Sequence, residues 1–188
     1  MPNWCNNDMN ISGTKEMMNN VESALKEGEL FSKLIPIPAE LNITAGSLGH
    51  NTPEQLELEE KESVNREKYG YANWYDYCVN EWGTKWDISL LSYQRLSETE
   101  ISVCFDTAWS PAINAYEKMV DMGYEVTAYY YEPGMGFAGI FENGLDNYYE
   151  FNDLTADEVE EILPVSLNEI FAISDTIREY EEENQDIG

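Results

Sequence analysis

Met9 and Ile11 alternate with Asp8, Asn10 and Ser12, a period of two that predicts a short half-buried strand closed by Gly13. The period then lengthens. Thr14 is placed to cap a helix in which Met17 or Met18, Val21 and Leu25 share one face, and Gly28 ends it. Pro36-Ile37-Pro38 stops regular structure, and a Gly-, Ser- and Asn-rich loop containing His50 follows. Thr52-Pro53-Glu54-Gln55 joins an N-cap, a first-turn proline and a capping-box glutamine, so it predicts the start of a charged, exposed helical arm in which only Leu56, Leu58 and Val64 are apolar. Asn73 caps a short aromatic helix over 74–82, with Trp74, Cys78 and Trp82 stacked and Gly83 at its end.

Strand periodicity returns in Trp86, Ile88 and Leu90 and in Ile101, Val103 and Phe105, a hairpin in which Leu90-Leu91 marks a bulge. Ser110-Pro111 opens a second amphipathic helix with Ile113, Tyr116 and Val120 on one face, ended by Gly123. Residues 124–131 read as a fourth strand, 137–142 and 145–151 as two more joined by the hairpin dipeptide Asn143-Gly144. Thr155-x-x-Glu158 and Ser166-x-x-Glu169 resemble capping boxes, which predicts two helices interrupted at Pro164, the second with a stripe of Ile170, Ile173, Ile177 and Tyr180. Strand, helix, two strands, helix, strand is the chain order of a ferredoxin-like split βαβ sandwich. The predicted class is therefore α+β: a mainly antiparallel sheet in one domain spanning 1–188, with a helical insertion at 39–83 and an acidic C-terminal helical extension at 152–188.

Composition changes the picture through charge. Ten Lys and Arg face 37 Asp and Glu, a net charge of −27, and from Ile101 onward the only cations are Lys118 and Arg178. Affinity for nucleic acid comes largely from cations that displace counterions at phosphates, so direct nucleic-acid binding is not expected. No apolar run approaches the roughly 18 residues that span a bilayer, and Met1-Pro2-Asn3-Trp4 has no signal-peptide character, so a cytoplasmic protein without membrane contact is expected. Cys5, Cys78 and Cys104 fit neither a disulfide framework nor a zinc ribbon and read as buried thiols.

Several uncommon motifs stand out: Met1-Pro2-Asn3-Trp4-Cys5-x-Asn7; Trp74-Tyr75-Asp76-Tyr77-Cys78 with Trp82-Gly83-Thr84-Lys85-Trp86-Asp87; Phe105-Asp106-Thr107-Ala108-Trp109-Ser110-Pro111; and Glu132-Pro133-Gly134-Met135. Together they resemble the YubB-like family of phage- and plasmid-encoded proteins with a ferredoxin-like domain, over the chain from its first residue to about Gly139. The resemblance implies a mobile-element origin and a ferredoxin-like shape without an iron-sulfur cluster, and it implies no activity. Among the motif residues, Trp4, Trp74, Asp76, Trp82, Gly83, Lys85, Trp86, Asp106, Trp109, Pro133 and Gly134 are expected to be structural, the tryptophans chiefly as packing devices.

Catalytic chemistry finds little support in the residues. His50 is the one imidazole, it sits in a loop, and no glycine-elbow serine occurs, so a nucleophilic triad is not indicated. No phosphate loop or dinucleotide fingerprint occurs, and no cofactor is expected. Asp76, Asp87, Asp106 and Glu132 could hold a metal or work as an acid–base pair, although Asp87 and Asp106 are equally suited to bind helix N-termini or Lys85. A carboxylate-dependent enzyme or metal-binding protein is therefore the alternative reading. Tyr129, Tyr131 and Tyr148 could stack bases on an open sheet face, but the charge argues that they pack under the C-terminal helices or touch a protein.

The acidity itself is the remaining candidate. Asp157, Glu158, Glu160 and Glu161 crowd one predicted helix, and Glu179, Glu181, Glu182 and Glu183 crowd the end of another, where the helix dipole disfavours anions. Such a surface can occupy a groove built for DNA or RNA. The expected function is thus non-catalytic binding of a host protein with a basic surface, as an acidic mimic that inhibits a nuclease or defence complex.

Overall fold

The computed structural model describes residues 3–185; Met1 and Pro2 of the opening motif, and the extension beyond residue 185, lie outside the described residues. The first strand, β1 (Trp4–Ser12), starts earlier than the apolar alternation suggests and turns Cys5, Asn7, Met9 and Ile11 inward. Helix α1 (Lys15–Glu27) is capped as its sequence requires: the Thr14 side chain accepts the Met17 N–H, and Gly28 adopts a left-handed φ of 71°. Its buried face is Met18, Val21, Ala24 and Leu25. A short helix, α2 (Leu30–Leu34), follows and buries Leu30 and Phe31.

The insertion holds a 3₁₀ turn (Ala39–Leu41), α3 (Pro53–Tyr69) and α4 (Trp74–Glu81). Thr52 caps α3 by accepting the Gln55 N–H, but the Gln55 side chain does not close the capping box; its Oε1 accepts the Leu48 N–H at 2.8 Å and ties the Gly/Ser loop to the helix. Leu58 and Asn65 are the buried residues of α3. The Asn65 amide donates to Glu40 O and Ala72 O, both at 3.0 Å, holding the arm to its flanks. Helix α4 is more than an appendage, because Cys78 and the adjoining Trp82 enter the main core. The Trp82 indole N–H donates to Ile35 O at 3.1 Å, which satisfies the one polar atom of a side chain that is 2% exposed.

Strands β2 (Ser89–Arg95) and β3 (Glu100–Ala108) form the expected hairpin, with a register shift between Leu90 and Ser92 at the double leucine. The expected strand start at Trp86 is not found. Asp87 turns the chain instead, accepting the Phe31 and Ser32 N–H groups at 3.0 and 2.8 Å and so capping α2. Helix α5 (Ile113–Asp121) buries Ala115, Tyr116 and Met119, and Ser110 does not cap it, because its hydroxyl donates to Gly83 O at 2.9 Å. The chain then enters β4 (Glu125–Glu132), β5 (Phe137–Glu142) and β6 (Leu145–Glu150).

The six strands form one antiparallel sheet in the order β2-β3-β1-β4-β5-β6. Its first four strands have the split βαβ arrangement, extended by the β5–β6 meander. Asn143 and Gly144 both take positive φ, 45° and 96°, as a two-residue hairpin turn requires. One face packs against α1, α2, α4 and α5 around Phe31, Trp82, Phe105, Tyr116 and Phe141. On that face Gly139 lets the Tyr130 ring lie flat across β5, where a Cβ would sit 2.2 Å from the phenol oxygen.

A second, smaller core lies on the opposite face, over β4 and β5. Tyr131, Ala138 and Phe151 meet Val159, Leu163, Leu167 and Ile173, flanked by Tyr129, Ile140 and Tyr149. Three helices cover it, not two: α6 (Ala156–Ile162), α7 (Val165–Phe171) and α8 (Ile173–Gln185). The Thr155–Glu158 capping box is complete, whereas Ser166 falls inside the first turn of α7, whose N-cap is Pro164. The extra break is Ala172, at φ 49°, bridged by paired hydrogen bonds between the Asn168 amide and Ser174. It interrupts the expected stripe: Ile173 is buried, but Ile170 and Tyr180 are exposed. Of the three tyrosines, Tyr129 and Tyr131 pack under the terminal helices, whereas Tyr148 lies half-exposed against Phe137 on the first face. The rest of the second face, floored by Asn6, Asp8, Asn10, Ser102, Cys104 and Asp106, is polar and partly exposed.

Candidate functional site

Half of the candidate acidic residues already have intramolecular work. Arg178 donates to Asp157 at 3.1 Å and to Glu160 at 2.8 Å, and also meets Asp175. Glu158 closes the Thr155 capping box, and Glu181 accepts the Ala156 N–H at 3.2 Å. Hydrogen bonds from Arg178 and Ser174 lower the pKa of Glu160, and those from the Thr155 backbone and hydroxyl lower that of Glu158. These four residues therefore stitch α6 to α8 or cap α6. Glu161, Glu179, Glu182 and Glu183 have no partner among the described residues, and all four are exposed positions on α6 and α8.

The four singled-out carboxylates are not gathered into one site. Asp87 caps α2, Asp76 accepts the Ala72 N–H at 3.0 Å, and Asp106 accepts the Asn6 amide at 2.7 Å. Glu132 is fully buried and accepts the Met135 N–H, while its Oε1 has no hydrogen-bond partner among the described residues. Pro133-Gly134 folds over it so closely that a Cβ on Gly134 would sit 3.0 Å from that oxygen. No group of three or more His, Cys, Asp and Glu is placed to hold a metal among the described residues, and no described helix is long and apolar enough to cross a membrane. Burial raises the pKa of all three thiols, Cys78 to about 12, which keeps them protonated and poorly nucleophilic.

The tryptophans divide. Trp82 is core, and Trp74 packs partly against it, but Trp4, Trp86 and Trp109 are 42%, 41% and 47% exposed. Trp86 and Trp109 stack with ring centroids 5.7 Å apart and planes at 29°. Above them lies Lys85, its Nζ 4.6 Å from the Trp86 centroid and 5.7 Å from those of Trp109 and Tyr75. Among the described residues each of the other nine Lys and Arg side chains lies within 4.0 Å of a carboxylate; Lys85 alone has none.

The chain holds this cluster deliberately. Trp109 has φ 66°, a conformation costly for a bulky residue by about 1–3 kcal/mol. Its N–H donates to Asn3 O at 2.9 Å. Thr107, fully buried, donates to Ser110 O at 2.7 Å and accepts the Asn7 amide at 3.0 Å, and Asn7 accepts the Tyr116 hydroxyl at 2.8 Å. Thr84 and Ser110 then tie the 83–86 turn to the 107–110 turn, donating to Ala108 O and Gly83 O. Gly83 is required there: its φ is 80°, and a Cβ would approach the Ile113 and Asn114 backbone nitrogens at 3.4 Å. Beside the cluster is a groove of about 400 Å³ lined by Ala45, Gly46, Asn73, Trp74, Tyr75 and Lys85. A larger groove of about 580 Å³ runs along α3 between Ile43 and Val64, rimmed by Glu40, Glu57, Glu60 and Lys61.

Each element of the cluster belongs to a motif visible in the sequence, but nothing in the sequence separates an inward tryptophan from an outward one. Nor does the sequence single out Lys85: Glu81, four residues before it, is spaced to pair with it, but in the fold Glu81 is taken by Lys118.

No protein-family model matches the chain, and no curated protein matches it in sequence. Among solved structures it is similar to the crystal structure of protein api92 from Yersinia pseudotuberculosis, assigned to the family model DUF1281, with a TM-score of 0.42 and 10% identity over 79% of this chain and 98% of that one.

Proposed function

We propose that the protein is a non-catalytic, mobile-element accessory protein that binds a host protein through that protein's basic surface, mimicking nucleic acid to inhibit a nuclease or defence complex. One observation carries the reading: nine of the ten cations are already paired with carboxylates, so the excess of anions stands uncompensated at the surface. Of the eight candidate acids on the terminal helices, Glu161, Glu179, Glu182 and Glu183 are the ones without a partner among the described residues. Association with a cationic groove would be fast and electrostatically steered.

The test compares capture of nucleic-acid-binding proteins from host lysate by the wild type and by a variant with all four of these glutamates changed to glutamine. Capture should fall between about 50 and 300 mM salt, as the Debye length shortens, and duplex DNA should compete for the same partner. A partner held equally by the variant and indifferent to salt and DNA would overturn the reading.

A further inference from the structure

We propose that Lys85, Tyr75 and the Trp86–Trp109 stack, with the adjoining Trp74 groove, form a binding site for a small molecule that joins one planar aromatic ring to one anionic group. The site is independent of the acidic helices and uses residues from four separated parts of the chain: the 45–46 loop, the α4 start, the 83–86 turn and the 107–110 turn.

Charge gives the first argument. In a chain with 37 acids, every other cation is neutralised within the molecule, whereas the Lys85 ammonium rests on three aromatic faces and keeps its N–H donors unspent. Aromatic rings hold an ammonium in place without cancelling its charge, so the group remains able to bind an anion.

Shape gives the second. Ala45 and Gly46 form one wall of the groove, and the space around Gly46 is open, with nothing within 4 Å of where a Cβ would be. Trp74 and Tyr75 supply the other wall, their rings 5.9 Å apart and perpendicular, with Lys85 also lining the groove. A volume of about 400 Å³ lies within the range of small-ligand sites. A ring slotted between the Ala45–Gly46 backbone and the aromatic wall would present its anion to Lys85.

Preorganisation gives the third. The strained Trp109 backbone and the buried Asn7–Thr107–Ser110 relay hold exposed rings in a fixed arrangement at a cost in stability, the pattern found where a surface is kept for a ligand. A single cation also sets the ligand's size. It can answer one phosphate or carboxylate, while a polyanion would continue onto a surface of opposite preference.

The experiment titrates the full chain with adenosine monophosphate, N-acetyltryptophan, adenosine and inorganic phosphate, each alone. Binding is read from the indole N–H resonances of Trp74, Trp86 and Trp109 in nitrogen-15 spectra. Saturable shifts confined to these indoles are expected with adenosine monophosphate if the anion is a phosphate, or with N-acetyltryptophan if it is a carboxylate. Lys85→Met should weaken that binding about tenfold or more while leaving adenosine binding unchanged. Lys61→Met, in a surface pair with Glu57, serves as the charge control and should change neither. Because Lys85 is partly exposed, the variant should retain the wild-type melting temperature, and the spectra report its folding directly. Absence of saturable shifts with both anionic probes, equal affinity in Lys85→Met, or tighter binding of a ten-nucleotide oligothymidylate than of the monophosphate would overturn the proposal.

Discussion

Gly139 offers the sharpest test of how the sheet is packed. A Cβ at this position would lie 2.2 Å from the Tyr130 hydroxyl oxygen, 2.3 Å from Cζ and 2.7 Å from Asn147 O on β6. The Asn147 carbonyl is backbone in a paired strand and cannot retreat far, so the fully buried Tyr130 ring must move by more than an ångström. That movement breaks the 2.9 Å hydrogen bond from the Tyr130 hydroxyl to Asp146. Overpacking costs about 1–3 kcal/mol and loss of the hydrogen bond about 1 kcal/mol more, so Gly139→Ala should destabilise by about 2–4 kcal/mol. For a domain of this length that lowers the melting temperature by roughly 5–15 °C. Thermal unfolding followed by circular dichroism measures it. In a Tyr130→Leu background the same alanine should cost much less, because the clashing ring is gone. A melting temperature within about 2 °C of wild type, or equal costs in both backgrounds, would refute the packing argument.

Other expectations are as direct. Thr107→Val keeps the shape of a fully buried side chain but removes its bonds to Asn7 and Ser110; it should cost about 1–3 kcal/mol by urea denaturation and broaden the Trp109 indole resonance. Asp87→Ala removes the cap from α2 and should destabilise by about 0.5–2 kcal/mol, whereas Asp87→Asn, which retains an acceptor, should cost less in the same assay. Arg178→Gln releases Asp157, Glu160 and Asp175 together, so amide exchange should accelerate in α6 and α8 while the first core stays protected. The Glu40 carboxyl is held down to about 2, first by Lys68 and then by Tyr69. Its folded value lies below its unfolded one, so the tether is fully present above the ordinary carboxylate range and fades as the pH falls from about 4.5 toward 2. Exchange at the 39–43 segment should rise over that window in the wild type and be indifferent to it in Glu40→Gln.

Much of the fold could be read from local chemistry. The Thr14 and Gly28 caps, the Thr52-Pro53 start of α3, the bulge at Leu90-Leu91 and the Asn143-Gly144 turn each obey a rule satisfied within a few residues. The split βαβ order followed from the sequence of periods, and the sheet has that order. What local chemistry hides is tertiary. Ala172 enters a left-handed conformation with no glycine or asparagine to signal it, because the Asn168–Ser174 bonds impose it. Trp86 looks like the first residue of a strand until Asp87 is drawn away to cap a helix 55 residues earlier. The acidic helices read as uniformly free charge, yet Arg178 and the N-terminus of α6 claim four of their eight candidates. Lys85 was visible as a motif residue, but its lack of a carboxylate neighbour is a property of the folded surface.

The terminal helices cover only part of the sheet's second face, and that asymmetry makes a terrace. Strands β1, β3 and β2 form a polar shelf about 10–14 Å across at ordinary strand spacing, beside a riser one helix thick, about 10 Å. A flat partner cannot seal against such a profile, whereas an extended segment or a single protruding helix could lie in the angle between the two levels.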